Sequence, residues 1–242
     1  MTVRYGSHPD QLADVWIPAG GPTAPLLVFI HGGFWRPKWD RTHAAPLAAD
    51  LAGRGWPVAL LEYRRTGWPD ISDDVGAALA RVPDLVLAEL AARGRDLSGL
   101  VPSVVAGHSA GGQLALWAAR PGVVRGVVAL APVADLALAH RLRLGDDAVA
   151  DLLGGGPADV PDRYAAADPV RLLPSGVRTV VVHGAEDREV PVTVGRSYVD
   201  AARQSGDDTT LRELPDIDHY ALIDPESRAW PTVLDALDAV AR

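Results

Sequence analysis

Three residues that lie far apart in the sequence have the side-chain types of a nucleophilic catalyst: Ser109, Asp187 and His219. A serine hydroxyl can attack a carbonyl carbon once a base removes its proton, and a third group must orient that base. His219 could be the base, and Asp187 could hold the imidazole ring. The chain order of serine, acid and histidine is one of the known orders of such a triad.

The segment around Ser109 predicts a strand, a sharp turn and a helix. Residues 102–106 are mostly apolar and β-branched, and residues 113–119 are rich in helix formers. Between them, Gly107-His108-Ser109-Ala110-Gly111-Gly112 contains the G-x-S-x-G pattern of a nucleophile elbow. Its glycines permit a strained turn and a close backbone approach. The N-terminus of the following helix favours negative charge beside the serine.

The candidate base and acid each follow a predicted strand. His219 lies in the polar turn 215–220, and Asp187 lies in the loop 183–191. Because ligands bind at the carboxyl ends of parallel strands, these loops could reach Ser109. Structural roles are favoured for the other carboxylates of these loops and for the remaining histidines: Glu186, Asp216, Asp218, His8, His31 (backbone hydrogen bonding), His43, His108 (inside the turn), His140 and His183 (no suitable acid follows it).

An oxyanion needs hydrogen-bond donors, and two segments could supply them. The amide of Ala110 follows the nucleophile directly, and Gly33 and Phe34 lie in a glycine loop after an apolar strand. Losing one such donor typically costs about 10²–10³ in rate. Candidate substrate contacts are Trp35, His108 and Tyr220.

Apolar strands alternate with helical segments along the chain. This alternation predicts one α/β domain over residues 1–242, with a mostly parallel sheet between helix layers. Residues 135–174 break into short helical pieces and are expected to form a small cap. The predicted strands are 14–17, 25–30, 58–63, 102–106, 123–130, 177–183 and 209–214. The predicted helices are 42–52, one from about 72 that Pro83 breaks or kinks, 84–93, 113–119, 193–204 and about 226–240.

Composition excludes several classes of function. The net charge of −8 argues against nucleic acid and anionic membranes as partners. The chain has no cysteine, which excludes thiolate catalysis and cysteine-ligated zinc. It has no P-loop, His-Glu-x-x-His motif, signal peptide or bilayer-length apolar run. We therefore expect a cytoplasmic protein that uses no cofactor or metal and acts on a small molecule, as a monomer or a homodimer.

These motifs together resemble the α/β-hydrolase family, on the branch of esterases and lipases related to hormone-sensitive lipase and of kynurenine formamidases. The matching segments are 31–35, 62–64, 107–112, 183–191 and 218–220. The resemblance implies the α/β-hydrolase fold, with Ser109 as nucleophile, Asp187 as acid and His219 as base.

The same resemblance implies a carboxylesterase-like hydrolase that cleaves a small ester or an acyl or formyl amide through an acyl-enzyme. Phe34 replaces the third glycine of the lipase-like loop, which is formamidase-like, so hydrolysis of N-formylkynurenine is the alternative. Tyr220 stands where many relatives carry Phe, and the segment after Arg65 is short. A non-catalytic ligand-binding role is disfavoured because no triad residue is missing.

Overall fold

A single mixed sheet runs through the protein. The computed structural model describes residues 1–94 and 103–242. Within them the strands are β1 (Thr2–Arg4), β2 (Leu12–Trp16), β3 (Leu27–Ile30), β4 (Val58–Leu61), β5 (Val104–His108), β6 (Gly126–Leu130), β7 (Thr179–Gly184) and β8 (Thr209–Leu214). Their order in the sheet is β1-β2-β4-β3-β5-β6-β7-β8. The pairs β1/β2 and β2/β4 are antiparallel, and the other neighbours are parallel.

Helices cover both faces of this sheet. They are α1 (Ala45–Gly53), α2 (Asp70–Ala91), α3 (Ala110–Trp117), α4 (Leu136–Arg141), α5 (Leu144–Leu153), α6 (Pro161–Ala167), α7 (Val192–Gln204) and α8 (Trp230–Ala241). Three short 3₁₀ turns cover Arg41–Ala44, Pro169–Leu172 and Tyr220–Ile223. None of the helices among the described residues has the length and apolar character needed to cross a bilayer.

Alternate strand residues enter two separate cores. In β3, Val28 and Ile30 pack in the core that holds α2, α3 and α7, while Leu27 and Phe29 pack in the core that holds α1 and α8. Side chains of a strand point alternately to its two faces, so a continuous apolar run is needed wherever helices cover both. This requirement explains the fully buried central strands.

The seven strands predicted from the sequence are present, with ends shifted by a few residues. Pro102, the first residue of one prediction, lies outside the described residues. The short edge strand β1 was not predicted. Of the two expected effects of Pro83, a break or a kink, the break is absent, because α2 continues through this residue. Pro83 costs one helical hydrogen bond, about 3 kcal/mol. The buried stripe that includes Val75, Val82 and Val86 runs past it and outweighs that cost at about 1.5–3 kcal/mol per side chain.

The segment predicted as a cap joins β6 to β7 and contains α4, α5 and α6. Its base is fixed by Asp168, which is 1% exposed and accepts hydrogen bonds from the amides of Leu136 and Ala137. These bonds satisfy free N–H groups at the start of α4. Burial raises the pKa of Asp168 to about 6 despite them. The two ends of this segment are therefore joined to each other by a buried side chain.

We predict that Gly111→Ala will destabilise the fold by more than about 2 kcal/mol, since a Cβ there would lie 2.0 Å from the Ile30 carbonyl oxygen. Gly76→Ala is the matched control, because that position is helical and has nothing within 4 Å of the added atom. It should stabilise the protein by about 0.5–1 kcal/mol. Urea unfolding measures both. Equal effects of the two substitutions would contradict this packing argument.

Candidate active site

Ser109 occupies the turn between β5 and α3 in a strained backbone conformation, with φ 59° and ψ −119°. Left-handed φ values cost a non-glycine residue about 1–3 kcal/mol, so the surroundings must enforce them. The Ser109 amide donates to the carbonyl of Leu130 at 2.8 Å, and its carbonyl accepts from Val133 at 3.2 Å. A Cβ on Gly107 would lie 2.1 Å from the Gly111 carbonyl oxygen. Glycine at both positions lets the turn close.

The loops after β7 and β8 place Asp187 beside His219. Because these strands are neighbours, the loops touch, and the Glu186 amide donates to the Ile217 carbonyl at 3.0 Å. The Nδ1 of His219 donates to the Oδ2 of Asp187 at 2.7 Å, and both side chains are at least 95% buried. An ionised carboxylate only accepts hydrogen bonds, so Nδ1 carries a proton, and in the neutral ring Nε2 then has the lone pair.

The Asp187 carboxylate is held ionised by several donors. Its Oδ1 accepts from the amides of Glu189 at 2.9 Å and Val190 at 2.8 Å. Burial opposes ionisation, but hydrogen bonds from His183 and His219 outweigh it and hold the pKa of Asp187 well below its usual range. A permanently charged carboxylate is suited to orient an imidazole and to stabilise its protonated form.

Ser109 and His219 line one cavity of about 580 Å³ at the carboxyl edge of the sheet. In the described part of the chain no hydrogen bond joins the Ser109 hydroxyl to the His219 ring. Catalytic hydrogen bonds are often long without substrate and shorten when it binds. The structure thus brings the three predicted triad residues to one site, with the acid–base contact formed.

The predicted oxyanion donors surround Ser109. Gly32 lies so close that a Cβ on it would be 3.0 Å from the Ser109 Cβ. Gly33 and Phe34 line the cavity, and among the described residues their amides donate to no acceptor. The Ala110 amide is in the first turn of α3, where N–H groups have no acceptor within the helix. Among the described residues, these three amides therefore have no acceptor, and Ser109 lies in the same part of the structure.

The predicted substrate contacts divide into three cases. Tyr220 lines the cavity and is 56% exposed. His108 also lines it but is 3% exposed, with Nε2 3.0 Å from the carbonyl oxygen of His219. Burial lowers the pKa of His108 well below the usual value, so its ring is neutral and its N–H anchors the His219 backbone. Trp35 is not in the cavity wall, because its ring is buried and its Nε1 donates to Gln113.

The sequence predicted a structural role for His183 but missed its contact with Asp187, next to which it is completely buried. Its Nε2 is 2.8 Å from the Val190 carbonyl oxygen and 3.5 Å from the Asp187 Oδ2. One N–H of His183 therefore points at two acceptors in the loop 183–191, Val190 and Asp187. The four-residue spacing from His183 to Asp187 was the signal available in the sequence. His31 makes the expected backbone contact, with Nδ1 2.7 Å from the Gly32 carbonyl oxygen, and its Nε2 is 3.1 Å from the buried Glu62 carboxylate.

Other residues complete the cavity wall. Aromatic and charged side chains lie around the mouth: Phe34, Arg36, Lys38, Trp39, Asp146, Glu189 and Asp224. Trp39 is 40% exposed, and the Lys38 ammonium lies 5.4 Å from its ring centre. Across the described residues, no group of three or more His, Asp or Glu side chains is arranged to hold a metal ion.

Comparisons with known proteins identify the family of the chain. The model of the prolyl oligopeptidase family matches residues 86–234. Two curated Mycobacterium tuberculosis proteins match most of the chain: esterase LipC, 28% identical over 95% of it, and the probable carboxylic ester hydrolase LipM, 31% identical over 88%. This chain spans 62% and 53% of their lengths.

The fold is shared with solved esterase structures. A truncated carbohydrate esterase from gut microbiota superposes with a TM-score of 0.82 at 19% identity, covering 100% of this chain and 96% of that one. At this identity the likeness concerns the fold, and it confirms the α/β-hydrolase fold expected from the sequence.

We predict that Asp187→Asn will destabilise the protein by about 2 kcal/mol at pH 7, because an amide cannot accept all the bonds that the carboxylate accepts. The folded-state pKa of Asp187 lies below its unfolded value, about 3.9. The carboxylate therefore stabilises the fold above pH 4, and this contribution declines as the pH falls below that value. Below pH 4, the difference in the free energy of unfolding between wild type and Asp187→Asn should narrow by about 1.4 kcal/mol per pH unit.

Denaturant unfolding at pH 3, 4, 5 and 7 measures the effect. Asp218→Asn is the control, since Asp218 is an exposed acceptor for the amides of Tyr220 and Ala221, a role that asparagine can fill. If the difference in the free energy of unfolding between wild type and Asp187→Asn does not depend on pH, Asp187 is not held ionised.

Proposed function

Because the chain belongs to the prolyl oligopeptidase family of α/β-hydrolases, we propose that it is a serine hydrolase of small carboxylic esters. The observation that carries the proposal is the 2.7 Å hydrogen bond from His219 to a carboxylate held ionised, in a cavity that also contains Ser109. A base with its proton fixed on Nδ1 presents Nε2 as the acceptor for a hydroxyl proton. The ester-hydrolase names of LipC and LipM support the same reaction class.

The reaction follows from these roles. The Ser109 oxygen attacks the ester carbonyl carbon while His219 Nε2 takes the hydroxyl proton. The carbonyl oxygen becomes an oxyanion, which accepts hydrogen bonds from the amides of Gly33, Phe34 and Ala110. His219 then returns the proton to the departing alcohol, leaving an acyl-serine. Water, deprotonated by the same nitrogen, hydrolyses that ester and releases the acid. Asp187 stabilises the imidazolium at each stage.

The cavity limits the substrate to a small molecule. A volume of about 580 Å³ lies in the range of ordinary small-molecule sites. Gly145 and Asp146 of the segment predicted as a cap line one side of it, and we assign this segment to shaping the pocket. The single-domain organisation, the cytoplasmic location and a monomeric or dimeric state stay predictions from the sequence.

A second candidate uses the same machinery on a formamide. Phe34 and Trp39 give the cavity two aromatic walls, which suit an aryl leaving group such as that of N-formylkynurenine. The chemical steps differ only in that His219 protonates an amine. The ratio of kcat/KM for N-formylkynurenine to that for short p-nitrophenyl esters separates the candidates, and a ratio far below one excludes the formamide as preferred substrate.

We predict that Ser109→Ala will lower kcat/KM for p-nitrophenyl acetate at least about 10⁴-fold, since removal of a nucleophile eliminates the acyl-enzyme route. A fluorophosphonate probe should label wild type at Ser109 and leave the variant unlabelled. Ser205→Ala is the control, because Ser205 lies at the end of α7 and its hydroxyl bonds only the local Ala202 carbonyl. Undiminished turnover in Ser109→Ala, or no labelling of folded wild type, would refute the proposal and favour a non-catalytic role.

A further inference from the structure

The loop that carries two of the proposed oxyanion donors is strained. We call Gly32–Arg36 the oxyanion loop. Three successive residues in it have left-handed φ values: 116° at Gly33, 50° at Phe34 and 56° at Trp35. Phenylalanine and tryptophan adopt this region at a cost of about 1–3 kcal/mol each. A single backbone bond closes the loop on itself, from the Arg36 amide to the Gly33 carbonyl. Contacts outside the loop must therefore maintain its conformation.

The Trp35 side chain makes a buried contact of this kind, to another element of the fold. Its ring is 4% exposed and turned away from the cavity, and its Nε1 donates to the Oε1 of Gln113 at 3.1 Å. Gln113 is fully buried in α3, one turn after Ser109. Its backbone N–H donates to the Ser109 carbonyl at 3.1 Å. The indole thus ties the oxyanion loop to the helix that begins at the nucleophile.

Gln113 extends the connection to the cap. Its Nε2 donates to the carbonyl oxygen of Ala167, the last residue of α6, at 2.9 Å. Only one orientation of the Gln113 amide satisfies both neighbours, because the indole can only donate and the carbonyl can only accept. Buried hydrogen bonds of this kind specify one arrangement, since any alternative leaves a polar group unpaired.

We propose that Trp35 and Gln113 are positioning residues for the oxyanion hole. The chain of hydrogen bonds from indole to amide to cap carbonyl holds residues 33–35 in their strained conformation and keeps the Gly33 and Phe34 amides directed at the oxyanion. Without the indole N–H, the loop can relax, which rotates the peptide groups and removes a donor from the transition state. The inference rests on the proposed hydrolase activity, because it concerns the oxyanion of that reaction.

The test is Trp35→Phe, which removes the N–H and keeps an aromatic ring. We expect kcat for a p-nitrophenyl ester to fall about 10- to 100-fold, below the 10²–10³ for complete loss of one donor. KM should change less than about threefold, since the donors act mainly on the transition state. The inhibition constant of a trifluoromethyl ketone, which forms a tetrahedral adduct, should rise by the same factor as kcat/KM falls.

Trp230→Phe is the matched control. Trp230 is 2% exposed, and its Nε1 also donates a hydrogen bond, to Asp50 at 2.8 Å, but it lies in the opposite core, with α8. It should lower stability to a similar extent and leave kcat unchanged. Gln113→Leu is the second variant. It should reproduce the kcat effect, and the double variant with Trp35→Phe should be no slower than the slower single variant, because both interrupt one connection.

Failure of this inference and failure of the proposed function give different results. An inactive, unlabelled wild type would refute the function itself. The positioning role is overturned in a different case. There the wild type is active, Trp35→Phe and Gln113→Leu both fold, and both keep kcat within threefold of the kcat of Trp230→Phe. The role is also overturned if the variants bind a planar ketone that forms no adduct more weakly, by the same factor as their kcat/KM falls. That pattern indicates damage to the pocket. If Trp35→Phe does not fold, Gln113→Leu alone decides by the same criteria.

Discussion

The arrangement of this site depends on one constraint, the close backbone approach between the elbow after β5 and the chain that leaves β3. The Cα of Gly111 lies so near the Ile30 carbonyl that no side chain fits between them, and a Cβ on Gly32 would lie 2.8 Å from the His108 carbonyl oxygen. Parallel pairing of β3 with β5, with Ile30 opposite Gly107, sets this distance. Because the strands are neighbours, the loop after β3, with the proposed oxyanion donors, lies beside the turn that carries Ser109. The glycines are a geometric requirement here, and helix propensity would argue against them.

Buried histidines form the second layer of organisation around the triad. His108 holds the backbone of His219, and His183 joins the two ends of the loop that carries Asp187. His108 is kept neutral by its burial, so it donates a hydrogen bond without adding a charge that would compete with His219 for the carboxylate. The negative charge of Asp187 is then neutralised mainly by donors aimed at it, which is the preorganisation that a low-dielectric site requires.

Residue types and chain order were enough to predict most of the fold and the set of residues brought together at the site. The strands were recognisable because both faces are covered, so their apolar runs are continuous. Ser109, Asp187 and His219 were recognisable because each follows a strand. Local propensity could not decide whether Pro83 would end the helix, because it does not show how much apolar surface a long helix buries. The direction of a side chain also depends on tertiary contacts, so Trp35 was expected in the pocket although it packs beneath the loop.

The segment predicted as a cap is contacted by the oxyanion loop through Arg36 and by α3 through Gln113, and these contacts differ in kind. Arg36 reaches the Gly145 carbonyl at 2.6 Å from a side chain that is 34% exposed, whereas Gln113 reaches Ala167 in the buried interior. Exposed polar contacts contribute little to stability, and buried ones are costly to break. The part of the cap around Gly145 and Asp146, which lines the cavity, can therefore vary with little effect on the loop. The end of α6 cannot, because its carbonyl completes the connection to Trp35. Under the proposed function, substrate recognition and oxyanion geometry would depend on different parts of one short segment.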